Sequence, residues 1–544
     1  LPLPRSIAEL IERRLAELGE DGRALVQLAA VLGREFDGEL LSGAAALGDE
    51  ATLEALEELR LRQVLEETGG GRLRFVHDTL REVVYGRIPA GRRGALHHRA
   101  AEAVELRQAS ELPRHAATLA HHWSQAGVHG RASRFFALAG DQARAAYANG
   151  EALTFYEAAL QQAAFPPDAG ASSRDAEPLA LERVYESLGD VRALTGRQAE
   201  AREAYALALS RLAPPERVRR ASLHRRVGKS WETHHQHEDA LRAYAAAEAA
   251  LEAGPGALPE ELWQEWFHIQ NERITLYYWQ ARVREMTELV ERVRPLVEAR
   301  GAPVQRARFF QSLVQMRCRT ERYRVSEETV AYARACFRAS EESGVASELT
   351  LARFTLATML LFHEALAEAE ALMHETLAEA GRMGDVTLQS RCLTYLTVLQ
   401  RRQGRVEETR RQASRGLEVS TAANMMDYVG AAHANLGWVA WREGRSAEAE
   451  QAARAALRCW QPLSLVYPFQ WLAHWPLLAV ALERQQGAEA LGHARALLDP
   501  TQQRMPEALA EALESAPDWE RSPPERLQLQ LAPVLDAARG LGYL

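Results

Sequence analysis

The side chains best able to do chemistry in this 544-residue chain are a set of histidines and one lysine. His77 and Asp78 stand at a junction. Before them, Arg72 to Val76 alternates polar and apolar residues, as a half-buried strand does. After them, Leu80, Val83, Val84 and Ile88 fall on one side of a helical pattern that opens at Thr79. An imidazole at a strand end can donate to a phosphate or exchange a proton near neutrality. Gly228-Lys229-Ser230 has the ending of a phosphate-binding loop, but that loop needs Gly five residues before its Gly-Lys pair. Position 223 is Leu and no strand pattern precedes it, so Lys229 reads as an exposed helix lysine. His234, His235 and His237 have metal-ligating side chains, yet they fall in a turn between two helical patterns, with no second cluster at regular spacing. In His97-His98 and His121-His122 one ring of each pair is expected to pack and the other to be solvated. There is no Ser-His-Asp order, Gly-x-Ser-x-Gly elbow or kinase signature. The expectation is no catalytic residue, no metal ligand and no cofactor held by this chain alone.

Composition narrows the class. Apolar residues make up 47% and charged residues 26%, as in an ordinary folded protein. Net charge is -9, and Lys229 is the only lysine among 65 basic residues. Residues 1–100 hold 14 Arg against 17 Asp plus Glu, and Arg87, Arg92 and Arg93 make only a small patch. A DNA-reading module normally offers a basic stripe, so no nucleic-acid partner is expected. The four cysteines form no C-x-x-C pair, which fits a reducing cytoplasmic setting. No apolar run approaches the roughly 20 residues of a membrane span, and no secretory signal is visible. A helical pattern starts almost at Leu1, as in a piece of something longer.

The elements that must position these residues follow two grammars. In residues 1–100, Ser6 is a suitable N-cap for a helix carrying Ile7, Leu10, Ile11, Leu15 and Leu18. Helices are expected at about 21–32, 37–46 and 50–62. Two short strands then flank Gly69-Gly70-Gly71, a triplet that tolerates the positive φ of a hairpin turn. Helices, a hairpin and a further helix make a winged-helix arrangement.

From about residue 101 the chain repeats a helical hairpin. A small residue in one helix and a Gly near the turn precede Ala, an aromatic and Ala in the next. One copy reads Tyr185, Leu188, Gly189, Gly196, Ala201, Tyr205, Ala208; another His224, Val227, Gly228, His235, Ala240, Tyr244, Ala247. Further copies run from Leu119 to Ala139 and from His433 to Ala456. Leu356, Leu396 and Leu436 recur at one motif position, as do Gly404 and Gly444. Small residues let paired helices approach and the aromatic fills the gap between them; this is the tetratricopeptide pattern. Nine or ten such hairpins would stack into a right-handed superhelix with a concave groove. Trp231, Tyr277, Tyr278 and Trp279 are candidates for the groove wall; Trp266, Trp471 and Trp475 are candidates for core or wall. The expected fold is mainly α: a winged-helix domain at 1–100, first repeat-like helices at 101–165, and an α-solenoid at 166–544. Its long loops lie at 165–178 and 252–261, and a capping helix follows 515–526.

"LPRSIAELIERRLAEL", "LVQLAAVLGREFDGELL", "LRFVHDTLREVVYGRI" and "RRGALHHRAAEAVE" together resemble the segment that follows the nucleotide-binding core in STAND-type signalling ATPases, relatives of AAA+ proteins. The resemblance extends over nearly the whole chain and is most specific in 1–165. It implies a winged helix that clamps an ADP-bound core and a repeat groove that senses a protein or small-molecule effector. Phe75-Val76-His77-Asp78 matches the family's junction motif, so His77 would contact the ADP phosphate and Asp78 would cap the next helix. ATP or ADP and Mg would belong to the parent protein, because Walker motifs are missing here and would lie upstream of Leu1. The remaining readings are a stand-alone repeat adaptor, or part of a nucleotidyl cyclase or Ser/Thr kinase with its catalytic domain N-terminal to this chain.

Overall fold

The computed structural model describes residues 13–166, 179–252, 259–463, 466–514 and 524–544. The Ser6 cap, the start of its helix and the interiors of the three Pro/Gly-rich loops lie outside these residues. The chain divides into two compact units, Leu1–Leu188 and Gly189–Leu544.

In the first unit, helices Glu20–Leu32, Gly38–Ala44 and Asp49–Leu61 precede a hairpin of β2 (Leu65–Gly69) and β3 (Arg72–Phe75). Gly70 and Gly71, at φ +62° and +78°, make its two-residue turn; both angles suit glycine and would strain other residues. A further strand, β1 (Glu35–Asp37), pairs antiparallel with β3, giving a sheet of order β1-β3-β2. Sequence reading placed 37–46 in a helix and missed β1. Three residues are too few to show a period of two, and Asp37 is the N-cap of the helix that starts at Gly38, accepting from the Glu39 N–H. Glu35 and Arg72 pair across β1 and β3 at 2.7 Å, while Phe36 meets Phe75 edge to face in the core beneath. Leu25, Leu28, Leu59, Leu80, Val84 and Leu96 complete that core. Helices Ala90–Arg107, Ala116–Gln125, His129–Ala145 and Asn149–Ala163 continue the unit.

The second unit is a stack of antiparallel helical hairpins, from Arg217–Thr233 with His237–Leu251 to Trp471–Glu483 with Gly487–Leu497. Its regularity is visible in the backbone. From Gly344 to Gly444 a left-handed residue recurs every twenty positions: Gly344, Glu364, Gly384, Gly404, Asn424 and Gly444. Each ends a helix of about the same length, so one φ reversal sets each turn. The small-residue rule is equally direct. A Cβ on Gly228 would lie 2.5 Å from the Tyr244 ring, and one on Gly189 2.5 Å from that of Tyr205. Gly140 and Tyr156 repeat the relation in the first unit at 2.6 Å. Among the described residues no helix is long and apolar enough to cross a membrane.

Candidate ligand-binding cavity

The stack of the second unit curls until distant turns meet. Gly196 lies against Ala423, and His235 Nε2 stands 3.3 Å from Asp427 Oδ2. On another side the segment that begins at Val466 crosses the inner surface. The Val466 N–H donates to the Trp279 carbonyl, and Arg319 donates to the carbonyls of both Tyr278 and Val466. Phe469 stacks on Phe362 and meets Tyr323 and Tyr395 edge to face. What remains inside is a cavity of about 250 Å³. Its wall includes Lys229, His235, Glu272, Tyr278, Trp279, Arg308, Gln311, Thr355, Arg391, Tyr395, Asp427 and Tyr428.

One side of this cavity is a charge network. In two earlier hairpins the packing glycine is followed by Asp, and the tyrosine hydroxyl donates to it: Tyr156 to Asp141 at 2.8 Å, Tyr205 to Asp190 at 3.0 Å. The third hairpin has Lys229 at that place, and Tyr244 donates instead to Glu232 at 2.8 Å. Lys229 Nζ lies 2.8 Å from Glu232 and 2.9 Å from Glu272, while Arg225 holds Glu265 at 2.6 Å. Lys229 is thus a paired cation in the cavity wall, not a free helix lysine; its partners sit about forty residues on and three residues on, beyond what a local motif shows. Burial would raise the Glu272 carboxyl, but Lys229 and Arg225 outweigh it and hold it at about 2. Burial and the neighbouring Glu272 charge push Glu232 up. Arg308 donates to Glu348 and to His268 Nδ1, whose ring is lowered to about 2 by burial and then by Arg308.

The cavity has no nucleophile prepared for covalent chemistry among its thiols. Burial pushes Cys318 and Cys336 up to about 12, so neither is a thiolate at neutral pH. The arrangement is suited to binding: aromatic faces, amides and fixed charges around a small space.

Of the groove candidates, Tyr278 and Trp279 line this cavity. Tyr278 bonds Tyr323 hydroxyl to hydroxyl, and Trp279 meets His235 edge to face. Tyr277 is buried in a neighbouring core cluster, under the Arg282 guanidinium, and Trp231 carries Arg202 3.6 Å above its ring. Trp266, Trp471 and Trp475 are buried core residues. Sequence reading did not single out Arg391, Gln311, Thr355 or Asp427, since nothing local marks them; closure of the stack is what brings Asp427 to His235.

In the first unit His77 is exposed at the end of the hairpin, at the N-cap position of the helix Asp78–Arg87. Its carbonyl accepts the Leu80 N–H at 3.0 Å, and its ring has no hydrogen-bond partner among the described residues. Asp78 does not cap that helix. It is the first helical residue, and its carboxylate pairs with Arg34 at 3.0 Å. The paired histidines divide in burial: His97 and His122 are buried, while His98 is half-buried and His121 exposed. His97 also bonds Tyr85 at 2.9 Å and His122 at 2.9 Å.

No family model matches the chain, and no curated protein matches it. Solved structures share its repeat architecture. A STAND protein with a tetratricopeptide repeat sensor from Pyrococcus horikoshii aligns with 85% of this chain at 12% identity and TM-score 0.43. This chain spans 66% of that protein's length. A Rap protein complexed with Competence and Sporulation Factor aligns with 68% of this chain and 98% of its own, at 10% identity and TM-score 0.41. NprR in complex with its cognate peptide NprX aligns with 56% and 88%, at 14% identity and TM-score 0.42. Scores at this level leave family and function open; the fold stands on the chain's own helices. What those helices define is a helical-repeat protein with an internal polar and aromatic cavity.

Proposed function

We propose that this chain is the regulatory region of a signalling ATPase, in which the repeat unit binds an effector in its cavity and a winged helix at 1–100, within the first unit, restrains a nucleotide-bound core. The observation that carries the sensor reading is the cavity itself, with charged and aromatic side chains from hairpins far apart in sequence turned onto one space. An effector that fits only one curvature of the stack shifts its population in proportion to its preference for that curvature. His77 suits the clamping role because its ring is exposed on a rigid strand end with its donors uncommitted. The chain itself performs no catalysis on this reading; ATP hydrolysis, and any cyclase or kinase output, belongs to other domains of the parent.

Two measurements test it. In the protein with its ATPase core, His77→Ala should speed ADP release and raise basal output; unchanged ADP retention rules out the clamp and leaves the stand-alone adaptor. Filling the cavity with Thr355→Trp should remove whatever ligand native mass spectrometry finds on the wild-type chain. A ligand retained equally by both places the effector elsewhere.

A further inference from the structure

Three cations line the cavity: Lys229, Arg308 and Arg391. The first two are committed, Lys229 to Glu232 and Glu272, Arg308 to Glu348. Arg391, on the helix Val386–Arg402, is different. One face of its guanidinium rests on Phe354, 4.3 Å from the ring centroid. Its Nε is buried and has no hydrogen-bond partner, and no ion pair joins it to a carboxylate, among the described residues. Asp385, the carboxylate that feels its charge, is occupied at the helix N-cap by the Leu388 N–H. Around Arg391 stand Tyr428, Tyr395 and Tyr278. A guanidinium stacked on one ring keeps its edge free, and that edge is a planar fork matched to two oxygens of an anion. Arg391 is half-buried, its Nε wholly so and unbonded, and an anion pairing with it would offset part of the cost of that burial.

We propose that Arg391 receives the anionic group of a small ligand, a carboxylate or a phosphate ester, whose flat apolar body lies against Trp279 and the Tyr278, Tyr395 and Tyr428 rings. The proposal rests on the reading of the cavity as the effector site and gives that effector its chemistry. Three of the wall's four carboxylates, Glu232, Glu272 and Glu348, are paired with Lys229 or Arg308, which weakens their repulsion of such a ligand, and the fourth, Asp427, faces His235 at 3.3 Å. Tyr395 and Tyr428 add hydroxyls beside the guanidinium, which can donate to a second oxygen.

Calorimetric titration of this chain with three probes tests it: phenylacetate, phenyl phosphate and the neutral phenylacetamide. At least one anion should bind saturably, and the amide should bind about tenfold more weakly or worse. Arg391→Ala should cost the anion a similar factor while leaving the amide unchanged. Arg391→Lys, which keeps the charge and loses the fork, should recover part of it. The tighter of the two anions identifies carboxylate or phosphate as the recognised group. Circular dichroism of each variant checks that the helices are intact. If the amide binds as well as the anions, or Arg391→Ala binds them as well as the wild type, the anion proposal falls and the cavity stands as a site for neutral ligands. If none of the three probes binds, the anion proposal also falls, and the cavity reading is then decided by the Thr355→Trp comparison.

Discussion

His235 Nε2 lies 3.3 Å from Asp427 Oδ2, and both side chains are almost wholly buried. They come from hairpins far apart in the stack, so this contact joins the curve of the second unit to itself. His235 is also one of the left-handed residues, at φ +56°, which is how a turn residue can project its ring inward. Stacked hairpins ordinarily touch only their neighbours. Here the closure adds a cooperative link between distant repeats. Asp427→Ala should therefore lower stability by about 1–3 kcal/mol. It should also let the stack relax, read as a larger radius of gyration by solution scattering. Unchanged scattering and an unchanged denaturation midpoint would show that the contact holds nothing closed.

The glycine beneath Tyr244 makes a sharper case. A Cβ at Gly228 would sit 2.5 Å from the ring, and the ring cannot retreat because its hydroxyl is bonded to the buried Glu232. Gly228→Ala should cost about 1–3 kcal/mol, the usual range for overpacking. That loss outweighs the gain in helix propensity of about 1 kcal/mol that Gly to Ala gives in an exposed helix. Gly381 is an internal control, because nothing lies within 4 Å of a Cβ there and Ala should be neutral or stabilising. Equal effects at the two glycines in urea denaturation would contradict the packing account.

The first unit should be sensitive to acid. His97 is held at about 3 by burial, then by His122 and His121, and His122 at about 4 by burial and His121. An unfolded histidine titrates near 6.5. Above that pH both states are neutral and the rings contribute nothing to pH dependence. As pH falls below it, the unfolded chain takes up protons that the folded unit refuses, so stability drops until the folded values are reached. Two such rings amount to roughly 2–4 kcal/mol between pH 7 and pH 5. Hydrogen exchange in the helix Ala90–Arg107 should report it, and the double variant His97→Leu, His122→Leu should flatten the response. Because His268 and His474 are also lowered, acid loss in the variant confined to the second unit is compatible with this account. Undiminished loss in Ala90–Arg107 is not.

Much of the repeat unit is legible in its sequence, because its rule is local. Gly189 with Tyr205 and Gly228 with Tyr244 are each sixteen positions apart, within one hairpin, so spacing alone reveals the pair. The hairpin at Gly69-Gly70-Gly71 is legible for the same reason. The cavity is not. Lys229 looks like a solvated helix residue until Glu272 arrives from the next hairpin, and Arg391 gains meaning only when Phe354 covers one face. Asp427 and His235 meet only through the accumulated curvature of several hairpins, a quantity no single motif encodes. The Asp78 role was misread because N-cap and first-turn acids favour the same residue types, and one position separates them.

Arg401 is fully buried and, among the described residues, has no carboxylate partner: its guanidinium donates to the Leu472 carbonyl at 2.9 Å and the Tyr543 carbonyl at 2.7 Å. Burial, together with the adjacent Arg402, lowers its basicity, so the charge is an expense that the two carbonyls and the Trp438 and Trp471 rings must offset. A hydrophobic replacement would relieve that expense. It would also strand two buried carbonyls, at about 1–3 kcal/mol each. The second effect should win, because Arg401 anchors the same buried end that Tyr543 makes by packing on Trp471, with Arg402 bonding its hydroxyl and the Leu541 carbonyl and Gly542 turning through φ +73° against the Arg402 backbone. Arg401→Met, which keeps the length of the side chain, should lower stability by about 2 kcal/mol. It should release the segment 541–544, seen as faster amide exchange and as trimming by carboxypeptidase. If Arg401→Met is as stable as the wild type and its last residues stay protected, the guanidinium is a tolerated burden and not the group that docks them.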